Sequence, residues 1–260
     1  MTELKSTFDD CSDGRAVSDV LAFTIVFSII ITSVALTYTI GFGAIGDAQE
    51  GEQSQNAERA MSALGTNFET VERGEAEGRA GQIALRGGAL DVPDDATMNV
   101  TVVNSSGTTT SGDVAIGSLT YTQEDTELAY QGGGVFRSDD GNSIVVQRPQ
   151  VRCRDDRAVI TIVRIISDEN GVSGSTSVEI TADAAAGTPS LVYPNATRSA
   201  SAQQVTLNLS DTRHGEAWER YLTEEDNQWQ ADGGGDFTCR LGGDGGQVIV
   251  RQVTIRITVV

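Results

Sequence analysis

Few residues in this chain are of the types that carry acid–base, nucleophilic or metal chemistry. The sequence has a single histidine, His214, and only three cysteines. It contains no Gly-x-Ser-x-Gly, no His-Glu-x-x-His and no phosphate-binding loop, the short motifs that bring reactive groups together. His214 lies at a predicted helix start, where a lone imidazole is typical of a surface polar group. The sequence therefore predicts no enzymatic activity, no catalytic residue, and no metal or cofactor site.

Two cysteines and four asparagines are instead candidates for covalent modification in an exported protein. Cys153 and Cys239 are expected either to form a disulfide in an oxidising compartment or to remain two separate thiols. The N-glycosylation pattern Asn-x-Ser/Thr occurs four times, at Asn99, Asn104, Asn195 and Asn208. Asn99 and Asn208 lie inside predicted strands, which makes them the poorer acceptors.

The chain is strongly acidic, and this limits its partners. Its formal net charge is −19, from 18 Lys and Arg against 37 Asp and Glu, and Lys5 is the only lysine. Because such a field repels polyanions, nucleic acid is not expected as a partner. An acidic surface almost without lysine resembles the surfaces of proteins from salt-loving archaea. An ordinary acidic and soluble surface is the alternative interpretation.

An apolar run near the N-terminus predicts a membrane span. Residues 20–46 include no charged side chain. A helix rises about 1.5 Å per residue, so most of this run is enough to cross a hydrocarbon layer of about 30 Å. Lys5 and Arg15 precede the run, whereas acidic residues follow it. Since Lys and Arg favour the cytoplasmic side, the sequence predicts a single-pass protein of the cell membrane with a cytoplasmic N-terminus and an extracellular C-terminal part.

The segment before the apolar run has the features of a processed leader. A polar leader over 1–16 ends in glycine, Arg15 and Ala16, and Val17 stands directly before the apolar helix. This arrangement resembles the class III signal peptide of archaeal type IV pilins and archaellins. The resemblance implies that a prepilin-type peptidase cuts between Ala16 and Val17 and leaves the apolar helix on the mature protein. It also implies other pilin-like subunits as candidate partners in a filament.

One carboxylate lies at the start of this helix. Asp19 occupies a position where those pilins commonly have proline. A carboxylate in lipid is costly and is usually paired. We expect Asp19 either to pair with the freed amine of Val17 or to lie at the depth of the lipid headgroups. A secretory signal peptide cut after Ala48 is the alternative to the pilin-like leader.

Beyond the apolar run the sequence predicts an amphipathic helical stem over 47–78. Apolar residues recur there at steps of three and four, at Ala57, Ala60, Met61, Leu64, Phe68 and Val71. This period is typical of a helix with one apolar stripe. The stripe is expected to pack either on the chain's own C-terminal part or on the stems of neighbouring subunits.

From residue 79 the period changes to two, which predicts an all-β, antiparallel, sandwich-like head with one short helix. That helix covers 216–222, with Asp211 and Thr212 as its cap. The glycine-rich stretches 232–236 and 242–246 are predicted to be flexible loops. The predicted organisation is a leader over 1–16, a membrane helix over 17–46, a stem over 47–78 and an extracellular head over 79–260.

These features favour a membrane-anchored, pilin-like structural or adhesion subunit of the cell surface, processed at its leader and a candidate for filament assembly. The alternative is a permanent single-pass surface protein whose β head is a binding module and never polymerises. An anchored hydrolase is the weakest hypothesis, because the residues for its chemistry are missing.

Overall fold

The structure is a computed structural model, and it describes residues 13–94, 96–168, 171–194, 201–242 and 245–260. The chain divides into two compact units, Met1–Glu52 and Gln53–Val260. We call them the N-terminal unit and the β unit. Helix α1 (Asp13–Glu72) supplies the described part of the N-terminal unit and the first 20 residues of the β unit.

Helix α1 ends because a glycine follows it. Gly74 has φ +74°, a backbone conformation that glycine adopts without steric cost. The N–H of Gly74 donates to the carbonyl of Val71 at 3.0 Å, and that of Glu75 donates to Thr70, also at 3.0 Å. These two bonds form a Schellman motif, which satisfies carbonyls that the helix itself leaves without a partner.

Seventeen strands in the described residues form two sheets, one of eleven strands and one of six. The larger sheet comprises β1 (Gly78–Ala84), β3 (Thr97–Asn104), β4 (Thr109–Ala115), β9 (Val151–Arg154), β10 (Arg157–Ser167), β12 (Ser177–Ala184), β13 (Ser190–Tyr193), β14 (Ser201–Asn208), β15 (Trp229–Gly233), β16 (Asp236–Arg240) and β17 (Gly246–Val259). The smaller sheet runs in the order β11 (Val172–Ser173), β2 (Ala89–Asp91), β5 (Ser118–Gln123), β6 (Thr126–Gln131), β7 (Gly134–Asp139) and β8 (Asn142–Gln147). The predicted class, an apolar helix followed by a β-rich head with one short helix, is confirmed.

The longest ladder joins β10 to β17 and is parallel, in a protein whose other strand pairs are antiparallel in the described residues. It extends from the pair Arg157 and Gln247 to the pair Ser167 and Ile257. A parallel pair needs a long connection between its strands, and the chain between β10 and β17 supplies it with β11–β16 and helix α2 (Gly215–Leu222). The sequence pattern predicted only antiparallel pairing, because alternation alone does not encode strand direction.

Two hydrophobic cores lie on opposite faces of these long strands. In β10, Ala158, Ile160 and Ile162 belong to the first core, which also contains α2. Val163 and Ile165, at odd-numbered positions of the same strand, belong to the second core, which also contains the end of α1. Because successive side chains of a strand point to opposite faces, one strand contributes to both cores.

The short helix α2 lies where it was predicted, but its cap differs. Its N-cap residue is His214, which makes no side-chain capping bond. The side chain of Asp211 instead accepts a hydrogen bond from Thr97 at 2.7 Å, and Thr212 donates to the carbonyl of Leu209 at 2.9 Å. The prediction of Asp211 and Thr212 as the cap was therefore wrong, because both side chains are used by strand β3 and by the preceding turn.

The glycine-rich stretch over 232–236 forms a tight turn between two strands. It joins β15 to β16, which pair in antiparallel register. Gly233, Gly234 and Gly235 all have positive φ angles, of 90°, 63° and 84°. Successive positive φ angles reverse the chain sharply, and glycine is the residue type that adopts them without strain.

Candidate membrane anchor and the sites around it

Residues Ser18–Gly41 form the candidate membrane anchor. This part of α1 covers 24 residues with a mean hydropathy of 2.4, and no residue of its most apolar 18-residue stretch is buried. Phe23 and Ile40, for example, are both 70 % exposed. Removing one large apolar side chain from water is worth about 1.5–3 kcal/mol. The helix is long and apolar enough to cross a membrane, which makes the chain a candidate single-pass membrane protein.

Five hydroxyl groups of the anchor donate to backbone carbonyls of the same helix, those of Thr24, Ser28, Ser33, Thr37 and Thr39. Thr24, Ser28 and Thr37 each donate to the carbonyl four residues earlier, at 2.7–2.8 Å. Ser33 donates to Ile30 at 2.9 Å. In a hydrocarbon layer no water is present to take these bonds, so a polar group must find its partner in the protein. The anchor therefore carries hydroxyls at little cost.

The predicted processing site lies in the first turns of α1. The backbone of Arg15, Ala16 and Val17 is helical, and Asp19 lies one turn further with an exposed side chain. A cut between Ala16 and Val17 would remove the first four residues of the helix and leave the anchor intact. Most of the predicted leader, residues 1–12, lies outside the described residues.

The last 20 residues of α1, here the docked segment (residues 53–72), pack on the strands of the β unit. Met61, Leu64 and Phe68 are almost fully buried in the second core. The ring of Phe68 meets that of Tyr130 edge-on, with centroids 4.9 Å apart. Of the two predicted positions for the apolar stripe, the structure therefore has it on the chain's own head.

One glycine allows the docked segment to approach the smaller sheet closely. A Cβ atom added at Gly65 would lie 2.5 Å from Oε1 of Gln147 and 2.8 Å from Cγ2 of Val135. Contacts this short would require the side chains of Gln147 and Val135 to shift. Sequence reasoning missed this role, although a glycine in the interior of a helical pattern was a signal for it.

A buried ion pair closes the end of the docked segment. Glu72 is only 2 % exposed, and Nη2 of Arg251 donates to its carboxylate at 3.3 Å. Nε of Arg251 also donates to Oγ1 of Thr161 at 2.8 Å. Burial raises the pKa of Glu72 to about 7, although Arg251 acts to lower it. The docked segment therefore ends on a buried carboxylate whose charged form the fold disfavours, despite its contact with Arg251.

Cys153 and Cys239 are joined by a disulfide whose Cα atoms are 5.8 Å apart. The bridge links β9 to β16 within the first core and is fully buried. Disulfides persist in oxidising compartments such as the outside of the cell. This pairing is therefore compatible with an exported β unit.

The described sequon asparagines have different surroundings. Nδ2 of Asn99 donates to Asp113, and Nδ2 of Asn208 donates to Asp236, both at 2.7 Å. Asn104 instead lies at the turn between β3 and β4, where its Oδ1 accepts two backbone N–H groups. Asn195 lies outside the described residues.

Sequence reasoning missed a buried polar cluster around the single histidine. Oγ of Ser143 lies 3.4 Å from Nδ1 of His214, whose Nε2 lies 3.4 Å from a carboxylate oxygen of Glu127. The imidazole also stacks on Phe136 with centroids 5.3 Å apart. His214 is 1 % exposed, so the prediction of a surface imidazole was wrong. The cause is tertiary: Phe136 of β7 and Ser143 of β8 lie against the imidazole.

This cluster has the order of a nucleophile, a base and an orienting carboxylate, but its environment opposes that chemistry. Burial lowers the pKa of His214 to about 4, which makes the imidazole a weak base. Ser143 is 5 % exposed, so a substrate carbonyl has little access to Oγ. The arrangement serves to join α2 to the smaller sheet.

Comparison with known proteins identifies the family of the chain. Residues 15–258 match a family described as a family of unknown function (DUF7289), and the chain belongs to that family. The matched residues include the apolar anchor as well as nearly all of the β unit. The chain matches no curated protein and no solved structure.

Proposed function

We propose that this member of the DUF7289 family is a pilin-like subunit of the cell surface, held in the membrane by Ser18–Gly41. The observation that carries the proposal is the exposed apolar helix directly after the leader that ends at Arg15 and Ala16. An apolar surface of this kind requires lipid or the same helix of other subunits around it. A peptidase cut before Val17 leaves that surface complete.

Two further observations support an extracellular β unit. The acidic residues that follow the apolar run, against Arg15 before it, favour a cytoplasmic N-terminus. The buried disulfide between Cys153 and Cys239 fits an oxidising compartment. A β unit carried at the outer surface is then free to act as a structural or adhesive module.

A specific observation favours the second candidate, a single-pass surface protein that does not polymerise. The docked segment buries its apolar stripe on its own β unit. Its outward side consists mainly of polar or small residues, including Gln55, Arg59 and Thr66. Lateral packing between subunits would therefore depend on the anchor, since the docked segment offers no second apolar stripe.

Mass spectrometry of the mature N-terminus tests the proposal. Full-length protein is taken from the membrane fraction and from sheared surface material, and we expect an N-terminus at Val17 in both. Arg15→Ala and Ala16→Leu should leave the leader attached, whereas Arg59→Ala, a matched substitution of an exposed arginine after the anchor, should leave processing unchanged.

Each other result has a defined meaning. An intact leader in the wild-type protein, with no surface filaments in electron micrographs, supports the permanent anchor. An N-terminus immediately after Ala48 would overturn both candidates, because the mature chain would then have lost the anchor.

A further inference from the structure

The surroundings of the sequon asparagines distinguish one acceptor from two non-acceptors. We propose that Asn104 carries an N-linked glycan in the mature protein, while Asn99 and Asn208 remain unmodified. The inference rests on the proposed function in one respect, since it requires the β unit to be exported. It otherwise depends on the hydrogen bonds of the three side chains.

Asn104 occupies the start of the hairpin turn that joins β3 to β4. Its Oδ1 accepts the backbone N–H of Ser106 at 3.0 Å and that of Thr108 at 2.8 Å. The turn is closed by the N–H of Gly107, which donates to the backbone carbonyl of Asn104 at 2.9 Å. Because the carboxamide oxygen points into the turn, the nitrogen on the same carbon points away from it. In the described part of the chain, no hydrogen bond engages Nδ2 of Asn104.

Within the described residues, the turn that follows the half-buried Asn104 is also exposed to solvent. The turn residues Ser105, Ser106, Gly107 and Thr108 are all exposed. Ser106 supplies the hydroxyl of the sequon, and within the described residues that hydroxyl makes no hydrogen bond. Hairpin tips are the parts of a β protein that tolerate additions best. A glycan at this position would project into solvent without displacing a strand.

Asn99 and Asn208 are instead built into the outward face of the larger sheet. They are cross-strand neighbours in the ladder between β14 and β3. Each amide nitrogen donates to a carboxylate at 2.7 Å, from Asn99 to Asp113 and from Asn208 to Asp236. Hydrogen bonds to charged groups are the strong ones. Both N–H groups of Asn208 are engaged, one by Asp236 and one by the carbonyl of Gly234. A sugar on Asn99 would have to lie beside the Asp113 carboxylate that its nitrogen contacts.

The sequon hydroxyls of these two sites are occupied too. Thr101 lies 2.9 Å from Oγ of Ser111, and Ser210 donates to Oδ1 of Asn208 at 2.6 Å. A transferase that must engage the hydroxyl would first have to break these bonds. Asn104 and Ser106 present neither obstacle.

The modification is a group transfer from a sugar linked to a lipid through pyrophosphate. A bond forms between Nδ2 of Asn104 and the anomeric carbon of the sugar, and the bond from that carbon to the pyrophosphate oxygen breaks. The pyrophosphate leaves with the bonding electron pair, and Nδ2 gives up one proton to a base of the transferase. The product is still an amide, so Oδ1 keeps both of its hydrogen bonds.

The test is peptide mass spectrometry of the full-length protein isolated from the cells that encode it. We expect a glycan mass on the peptide containing Asn104, and unmodified peptides containing Asn99 and Asn208. Ser106→Ala should abolish the modification, and Ser106→Thr should preserve it. Ser106→Ala leaves the backbone N–H that bonds to Asn104 in place, so the fold is retained. Thr101→Ala and Ser210→Ala, which remove the sequons of Asn99 and Asn208, should change no glycan mass.

Protease treatment of intact cells separates this inference from the proposed function. If the β unit is cleaved from outside but Asn104 is bare, or if Asn99 or Asn208 carries the glycan, the inference fails and the proposed function stands. If the β unit is protected in intact cells and digested only after lysis, the proposed function fails. A bare Asn104 in that case overturns the inference as well.

Discussion

Replacing Phe68 by alanine tests whether the docked segment is held by the second core in solution. The Phe68 side chain is 1 % exposed and packs edge-on against Tyr130 at 4.9 Å. Burial of a phenylalanine contributes about 1.5–3 kcal/mol, and an aromatic pair adds about 0.5–1.5 kcal/mol. With the cavity left behind, Phe68→Ala should lower the free energy of unfolding by about 3–5 kcal/mol.

The assay is guanidinium unfolding of the full chain in detergent, followed by tryptophan fluorescence. Trp218 and Trp229 both lie in the first core, away from the substitution, so they report cooperative unfolding of the whole β unit. We expect a lower midpoint with an unchanged slope. Thr66→Ala, on the exposed side of the same helix turn, should change stability by no more than about 0.5 kcal/mol.

The reasoning would be refuted by equal, small effects of Phe68→Ala and Thr66→Ala. That result would mean that the docked segment separates from the strands in solution. The stripe would then be free for neighbouring subunits, which is the arrangement that the structure does not have.

The remaining predictions concern two buried titratable groups and the disulfide. Folding raises the pKa of Glu72 from 4.5 to about 7, so between these pH values the folded protein keeps a proton that the unfolded protein has lost. The free energy of unfolding should therefore fall by roughly 3 kcal/mol as the pH rises from 4.5 to about 7. The Glu72→Gln variant should lose this pH dependence when its unfolding curves are measured at several pH values. Folding lowers the pKa of His214 from 6.5 to about 4, so the unfolded protein binds the proton first as the pH drops through that range. The free energy of unfolding should therefore fall as the pH drops, and His214→Gln should remove this pH dependence. A slope that persists in either variant contradicts the corresponding assignment. Removing the disulfide with Cys153→Ala and Cys239→Ala should cost ~4–5 kcal/mol by the chain-entropy estimate for its loop, measured by chemical unfolding; an unchanged midpoint would contradict it.

Part of the candidate site was predictable because it depends on local pattern. The anchor follows from an uninterrupted apolar run, and the docked segment follows from apolar residues at steps of three and four, such as Met61, Leu64 and Phe68. The position of α2 followed from the same kind of pattern. These features need only the period of a helix, which neighbouring residues define.

The surroundings of single side chains were not predictable in this way. The burial of His214, the pairing of Glu72 with Arg251 and the close approach at Gly65 each join residues far apart in the chain. The capping prediction at Asp211 failed for the same reason, since its carboxylate bonds to Thr97 on another strand. The spacing of residues along the sequence does not determine which distant strand a side chain contacts in the folded protein.

The sequence by itself determined an acidic protein with an apolar anchor followed by a β-rich unit. Composition alone gives the net charge, and the order of neighbouring residues gives the hydrophobic period. Only the tertiary structure decided that the stripe packs on its own strands, that β10 and β17 run parallel, and that Asn104 differs from the other described sequon asparagines. Those outcomes depend on the register and direction of strands that are distant in sequence, which the pattern of neighbouring residues does not specify.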